Sequence, residues 1–150
     1  FHSQLYFLTH KFRLHMNLSK QPKTVIQDRS IYEDAEIFCR NLYLRKQISE
    51  RDFRTYMELY NSMKAVLQPP DLMIYLRCSV RTIRKRIKQR GRASEKQVPA
   101  QYIRNLNNLY EDWIEDYSLS PVLIWDSENM DYFTDFFDRI EFQKSIERCL

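Results

Sequence analysis

Glycine is almost missing from this chain. At the usual share of roughly 7%, a protein of this length would hold about ten glycines, whereas the 150 residues contain one, Gly91. A glycine-rich phosphate loop, a dinucleotide fingerprint and a collagen repeat each need several glycines at fixed offsets, so none of them lies within residues 1–150. Long apolar runs are also lacking: none approaches the roughly 18 residues of a membrane span, and no signal-peptide pattern is present. The three cysteines, Cys39, Cys78 and Cys149, are odd in number and have no Cys-x-x-Cys spacing. They indicate neither a disulfide framework nor a zinc site and point to a reducing, cytoplasmic setting. The first residue is Phe1 rather than Met, so a preceding segment is expected.

What is present fits one domain with a packed core. Aromatic residues make up 14% of the chain and charged residues 29%, a mixture typical of a water-soluble protein. The net charge of +4 conceals an uneven distribution. Arg77, Arg81, Arg84, Lys85, Arg86, Lys88, Arg90 and Arg92 fall in one stretch without a single acid, and the rest of the chain is net acidic. A cationic segment of this kind suits a phosphate-bearing partner, either a nucleotide or a nucleic acid.

Three short apolar runs have the composition of buried strands: Thr24 to Asp28, Leu72 to Cys78 and Val122 to Asp126. Helical i, i+3, i+4 spacing separates them, over about 2–18, 31–46, 50–67, 80–91, 99–117 and 131–148, which is the alternation of a parallel α/β sheet. Ser30 with Glu33, and Ser49 with Asp52, have the capping-box spacing that starts helices. No internal repeat or linker interrupts residues 1–150, so a single domain is expected. Three strands are few for a sheet buried on both faces, and further strands are expected upstream.

Several residues have the chemistry of a nucleotide site. Asp28-Arg29-Ser30 falls where a strand gives way to a capped helix, at the carboxyl edge where α/β sheets hold ligands. A carboxylate there can hold Mg²⁺, and a guanidinium can grip an oxyanion; equally, Asp and Ser there can simply cap the helix. Asp34 and Phe38 lie one helical turn apart and so share a face, as do Gln4 and Lys11 in the first helix. A Gln amide offers the paired donor and acceptor that reads a base edge. In the basic segment Val80, Ile83 and Ile87 form a seating stripe. Arg86 and Arg90 are four residues apart, and Arg92 follows across Gly91, so that three guanidiniums can converge on a polyphosphate and form a lid over about 84–96. Glu95 is the nearest carboxylate and can accept a hydrogen bond from a sugar hydroxyl. From charge alone, a solvated or nucleic-acid-binding basic helix fits the same stretch.

Taken in order, Gln4 and Lys11, then Asp28-Arg29-Ser30-Ile31-Tyr32-Glu33-Asp34 with Phe38, then Arg86-x-x-x-Arg90-Gly91-Arg92-x-x-Glu95, the chain resembles the deoxyribonucleoside kinase family. The resemblance implies a P-loop NTPase-like three-layer α/β fold, a parallel sheet flanked by helices, here lacking its first strands. The chain would form the C-terminal three-quarters of such an enzyme. It would belong to nucleotide salvage, phosphorylating the 5′-hydroxyl of a deoxyribonucleoside with ATP and Mg²⁺ and acting as a homodimer without nucleic-acid or membrane partners. By the same resemblance Gln4 bonds the base beside Lys11 and Asp34, and Phe38 stacks on it. Asp28 helps hold Mg²⁺, Arg29 contacts the 5′-hydroxyl and the transferred phosphate, and Glu95 binds the 3′-hydroxyl. Arg86, Arg90 and Arg92 embrace the ATP phosphates, and the stretch Asp126 to Tyr132 corresponds to the loop that touches adenine.

The family's phosphate loop, Gly-x-x-x-x-Gly-Lys-Ser/Thr, and its general-base Glu are expected upstream of Phe1, so residues 1–150 alone are expected to be inactive. Lys11 stands where many members carry Arg. Asp in place of Glu at position 28 resembles the bacterial deoxyadenosine and deoxyguanosine kinases and favours a purine substrate. A nucleoside-monophosphate kinase of the thymidylate kinase type, sharing the sheet and an Arg-bearing lid, is the second enzyme reading. A helical nucleic-acid-binding module built on the 77–92 stripe is the reading from another class. The aromatic residues Tyr43, Phe53, Tyr56 and Tyr60 fit either a dimer surface or the core.

Overall fold

The computed structural model describes residues 1–95, 97–131 and 135–150. It divides into two compact units, Phe1–Gln68 and Pro69–Leu150.

The first unit is helical. Helix α1 (His2–Leu18) leads to an extended segment, followed by a helical run made of α2 (Ile31–Glu33), a π-helical stretch (Asp34–Cys39) and α3 (Arg40–Leu44). Helix α4 (Glu50–Lys64) packs back on the π-helical stretch and on α3 and α1. Leu8, Ile31, Tyr32, Ala35, Ile37, Cys39, Tyr56 and Tyr60 form the core and are almost wholly removed from water. Tyr56 and Tyr60 therefore fill the interior and do not offer a dimer surface, while Tyr43 stacks flat on Phe53 with ring centroids 4.3 Å apart. Ser30 starts the run as expected. Its hydroxyl accepts the Tyr32 N–H, and the Glu33 carboxylate takes the Ser30 N–H at 2.7 Å, a reciprocal cap that satisfies two otherwise orphaned donors. Ser49 caps α4 by accepting the Asp52 N–H at 3.1 Å.

Two expectations for this unit are corrected. Residues 24–28 belong to no β-ladder, with a bend at Asp28, and Val25 and Ile26 are 41% and 90% exposed. A strand is defined by a paired neighbour, and among the described residues this segment has none, so its β-forming composition alone does not make it one. The helix expected over 31–46 is not uniformly α and ends at Leu44, after which Lys46 turns the chain at φ 57°.

The second unit carries a two-stranded parallel sheet. Strand β1 (Met73–Arg77) pairs with β2 (Val122–Asp126) in the register Met73–Val122 to Arg77–Asp126. The crossover between them runs through α5 (Val80–Arg90), a short 3₁₀ turn (Ala93–Glu95) and α6 (Ala100–Asp116), which packs on α5. Parallel neighbours require such a crossover, so the helix between the two apolar runs and the direction of pairing are one fact. Helix α7 (Phe136–Glu147) closes the unit, packing on β2; the start expected for it near 131 falls partly on residues 132–134, outside the described residues.

Gly91 ends α5 in the left-handed conformation, φ 68°, with its N–H donating to the Ile87 carbonyl. A methyl group at Gly91 would meet nothing closer than 3.9 Å, so an alanine there is opposed by backbone strain alone. Gly91→Ala is expected to lower stability by about 1 kcal/mol, which for a protein of this size is a fall in Tm of about 2–4 °C. Thermal unfolding checks this, and an unchanged Tm would contradict it.

Candidate functional site

In the first unit the expected substrate residues gather at the corner between the extended segment and α2. Arg29 stands at φ 60°, a left-handed conformation that costs a non-glycine residue about 1 kcal/mol or more and persists only where its surroundings enforce it. The enforcement is visible. Lys11 reaches from α1 to donate to the Arg29 carbonyl at 2.5 Å, the Gln27 side-chain amide donates to the same oxygen at 3.1 Å, and the Ser30–Glu33 cap fixes the next residue. The Arg29 guanidinium lies over the Phe38 ring, 5.0 Å from its centre. Lys11, Arg29, Asp34 and Phe38 are thus one cluster. Asp28 precedes it, exposed, and Gln4 is half-buried on α1, one turn short of the buried Leu8.

Asp34 opens the π-helical stretch, a widened geometry that is often found at functional sites. Its Oδ2 is buried without a hydrogen-bond partner. Burial pushes the Asp34 carboxyl above its ordinary value of 3.8, Lys11 pulls it back, Glu33 raises it further and Arg29 lowers it. The result is an acceptor held out of water beside an aromatic plate. Such an atom suits a ligand N–H donor.

In the second unit Arg90 and Arg92 meet at Glu95, whereas Arg86 points to other partners. Arg86 turns to the chain after β2, donating to the Ser127 hydroxyl at 3.2 Å, the Ser127 carbonyl at 2.5 Å and the Met130 carbonyl at 3.3 Å. Arg90 grips Glu95 through Nε and Nη2, at 2.8 to 3.0 Å, and Arg92 lies 3.7 Å from the same carboxylate. Asp126, at the end of β2, accepts the Glu128 N–H at 2.8 Å. Of the expected lid over 84–96, Lys96 lies outside the described residues, as does Tyr132 of the stretch matched to the adenine loop.

Sequence reasoning missed Glu111, and it reached Ser127 and Glu128 only as part of the stretch matched to the adenine loop, without their partners. Glu128 binds Ser79 and Thr82 at the start of α5, Ser127 is fully buried, and Glu111 accepts from Tyr75 at 2.8 Å and pairs with Arg77 at 2.7 Å. The Ser79-x-x-Thr82 pair ahead of an apolar stripe was a usable sign of a helix start, but the carboxylate that completes it is 49 residues away from Ser79.

The deoxynucleoside kinase family model matches residues 1–149. The chain belongs to the deoxynucleoside kinase family. It is 36% identical over 139 residues to the deoxyadenosine/deoxycytidine kinase of Bacillus subtilis, a match covering 90% of this chain and 63% of that protein. It is 35% identical over 145 residues to the deoxyguanosine kinase of Lactobacillus acidophilus, covering 91% and 63%. The chain spans under two-thirds of the length of these curated relatives. Among solved structures, deoxyadenosine kinase from M. mycoides with bound dATP superposes with a TM-score of 0.78 at 26% identity, covering 97% of this chain and 71% of that one. The same kinase with dCMP and dCDP gives 0.77 at 30% identity, covering 98% and 72%. The α/β, P-loop NTPase-like fold expected from the sequence is the fold of these neighbours.

The Asp34 environment sets a pH dependence. Because the folded-state pKa lies above the unfolded one, the folded chain holds the proton more tightly, and stability is lost as pH rises through the folded value. Asparagine cannot ionise, so Asp34→Asn is expected to gain stability relative to wild type between pH 3 and pH 8, measured by denaturant unfolding. A difference that stays constant across that range would contradict the assignment.

Proposed function

We propose that the protein containing this chain transfers the γ-phosphoryl group of ATP to the 5′-hydroxyl of a deoxyribonucleoside, a purine for preference, giving the monophosphate. The observation that carries this reading is the corner at residues 28–38, in which Arg29 is held in a strained conformation beside an unsatisfied buried carboxylate and an aromatic plate. Support for the purine comes from Asp28 and from relatives named as deoxyadenosine and deoxyguanosine kinases, while the free acceptor Asp34 Oδ2 suits a base amino group.

In this reading Phe38 stacks on the base, Asp34 and Gln4 bond its edge, and Lys11 fixes the Arg29 backbone so that the guanidinium faces the 5′-hydroxyl and the moving phosphate. The residues matched to the ATP phosphates lie in the second unit. Arg90 and Arg92 are two cations sharing the single Glu95 carboxylate, and exposed ion pairs contribute only about 1 kcal/mol or less. A polyphosphate carries more charge than one carboxylate and displaces it, leaving Glu95 open to a sugar hydroxyl. Arg86 stands in the same helix, and Asp126 begins the segment set against adenine. Phosphoryl transfer needs little besides positioning and charge stabilisation, which these groups provide.

Mg²⁺ usually keeps waters and takes one or two carboxylates together with substrate phosphates. An exposed single carboxylate such as Asp28 fits that role, and the ion would supply neutralisation of the phosphate charge. A cytoplasmic place in nucleotide salvage suits three free thiols, of which Cys39 is buried and pushed up to about 12. Among the described residues no helix is long and apolar enough to cross a membrane. For the homodimer, an exposed apolar face is needed, and α1 presents Tyr6, Phe7 and Leu14 to solvent. The basic stripe offers less to nucleic acid than its charge suggests, because Arg77, Arg86, Arg90 and Arg92 are engaged by Glu111, by the turn after β2 and by Glu95.

The test is product formation by the protein in its full natural length, with ATP and either deoxyadenosine, deoxyguanosine, deoxycytidine, thymidine or thymidine monophosphate as acceptor. Nucleosides are expected to be phosphorylated, purines best, and Arg29→Ala is expected to cut kcat at least 100-fold with an unchanged circular dichroism spectrum. Activity on the monophosphate alone, or near wild-type turnover in Arg29→Ala, would overturn the reading.

A further inference from the structure

Glu128 lies in the stretch matched to the adenine loop without a role of its own there, yet it is tightly held. Its carboxylate accepts the Ser79 N–H at 2.6 Å, the Ser79 hydroxyl at 2.8 Å and the Thr82 hydroxyl at 2.6 Å, all in the first turn of α5. These bonds, the Ser79 N–H foremost, hold the Glu128 carboxyl down at about 2 although it is open to water. Its own N–H is fastened to Asp126. One residue earlier, the N–H and the hydroxyl of Ser127 both donate to the Arg77 carbonyl at the end of β1, at 2.8 and 3.0 Å.

Arg86 supplies a second fastening, one turn further along α5, to the Ser127 and Met130 carbonyls. A turn tied to one helix at two levels cannot slide along it or rotate against it without breaking charge-assisted bonds. The far end of that helix carries Arg90, eight residues after Thr82 and so about 12 Å along the axis.

We propose that Glu128 is a positioning residue for the phosphate donor: by clamping the turn 126–130 to the start of α5, it sets the distance between the segment that meets the donor's base and the arginines that meet its phosphates. This rests on the kinase reading above. Arg86 then acts partly through its grip on the same turn, and the clamp makes base contact and phosphate contact a single event. Loosening it lets each half bind alone, so that the correct base no longer helps to place the phosphates.

Steady-state kinetics of Glu128→Ala and Glu128→Gln in the full-length protein provide the test, with ATP, GTP and UTP as donors and a saturating nucleoside. Glu128→Ala is expected to raise KM for ATP about tenfold, to leave KM for the nucleoside within twofold, and to shrink the wild-type preference among donors. Glu128→Gln, which keeps an acceptor for the Ser79 N–H, is expected to recover at least half of the loss on a logarithmic scale. If Glu128 only capped α5, Tm would fall while the donor preference and the ratio of the two KM values stayed as in wild type; that outcome overturns the proposal. Calorimetric binding of a non-hydrolysable ATP analogue separates this idea from the kinase reading. If the wild-type protein phosphorylates no nucleoside, that reading fails, while a loss of analogue affinity in Glu128→Ala still supports the clamp and unchanged affinity still refutes it.

Discussion

The hydrogen bond from Lys11 to the Arg29 carbonyl is the contact on which the candidate acceptor site depends. Arg29 sits in a conformation that its own side chain disfavours, and the neighbouring Gln27 amide adds to the hold on its carbonyl. A charged donor from another helix, 18 residues earlier, and the reciprocal Ser30–Glu33 cap on the following residue hold it from both sides. Once the corner is fixed, the guanidinium meets Phe38, and the run that starts at Ile31 carries Asp34 into the same cluster. Strain at Arg29, an orphaned acceptor on Asp34 and the π-helical widening fall within eleven residues. Each costs stability, and a folded chain retains such costs where a ligand or reaction makes use of them.

The second unit solves a different problem, the placement of many like charges. Eight basic residues without an acid would repel one another across one short helix and its flanks. The structure spreads them. Arg77 is drawn to Glu111, Arg86 to the carbonyls of the turn after β2, and Arg90 and Arg92 to Glu95. The firm attachments lie at the start and middle of α5, whereas the pairing at its end is solvent-exposed and exchangeable. That gradient, tight near the turn and loose near Gly91, is what a phosphate-gripping element requires.

Local patterns were legible in the sequence and long-range ones were not. Helix α1 matched its apolar periodicity from His2 to Leu18, and Ser30, Ser49 and Gly91 marked starts and an end because caps and left-handed turns are chosen by neighbours in the chain. β1 and β2 fell where apolar composition placed them. Residues 24–28 have equally strand-like composition, but a ladder is a property of two segments, and composition cannot supply the second. The same limit hid the target of Arg86, 41 residues away, and the engagement of Glu128 with Ser79 and Thr82. Tyr56 and Tyr60 could not be assigned to core or surface from spacing, because which face of α4 turns inward is decided by α1 and the π-helical stretch.

The central claim is that the corner at residues 28–38 receives the acceptor nucleoside. A crystal structure of the full-length protein soaked with deoxyadenosine measures this directly. The expected result is the purine ring stacked on Phe38, its amino edge within hydrogen-bond distance of Asp34 Oδ2 or the Gln4 amide, and the 5′-oxygen facing Arg29. A nucleoside bound elsewhere, with Asp34 Oδ2 still unpartnered, would contradict it.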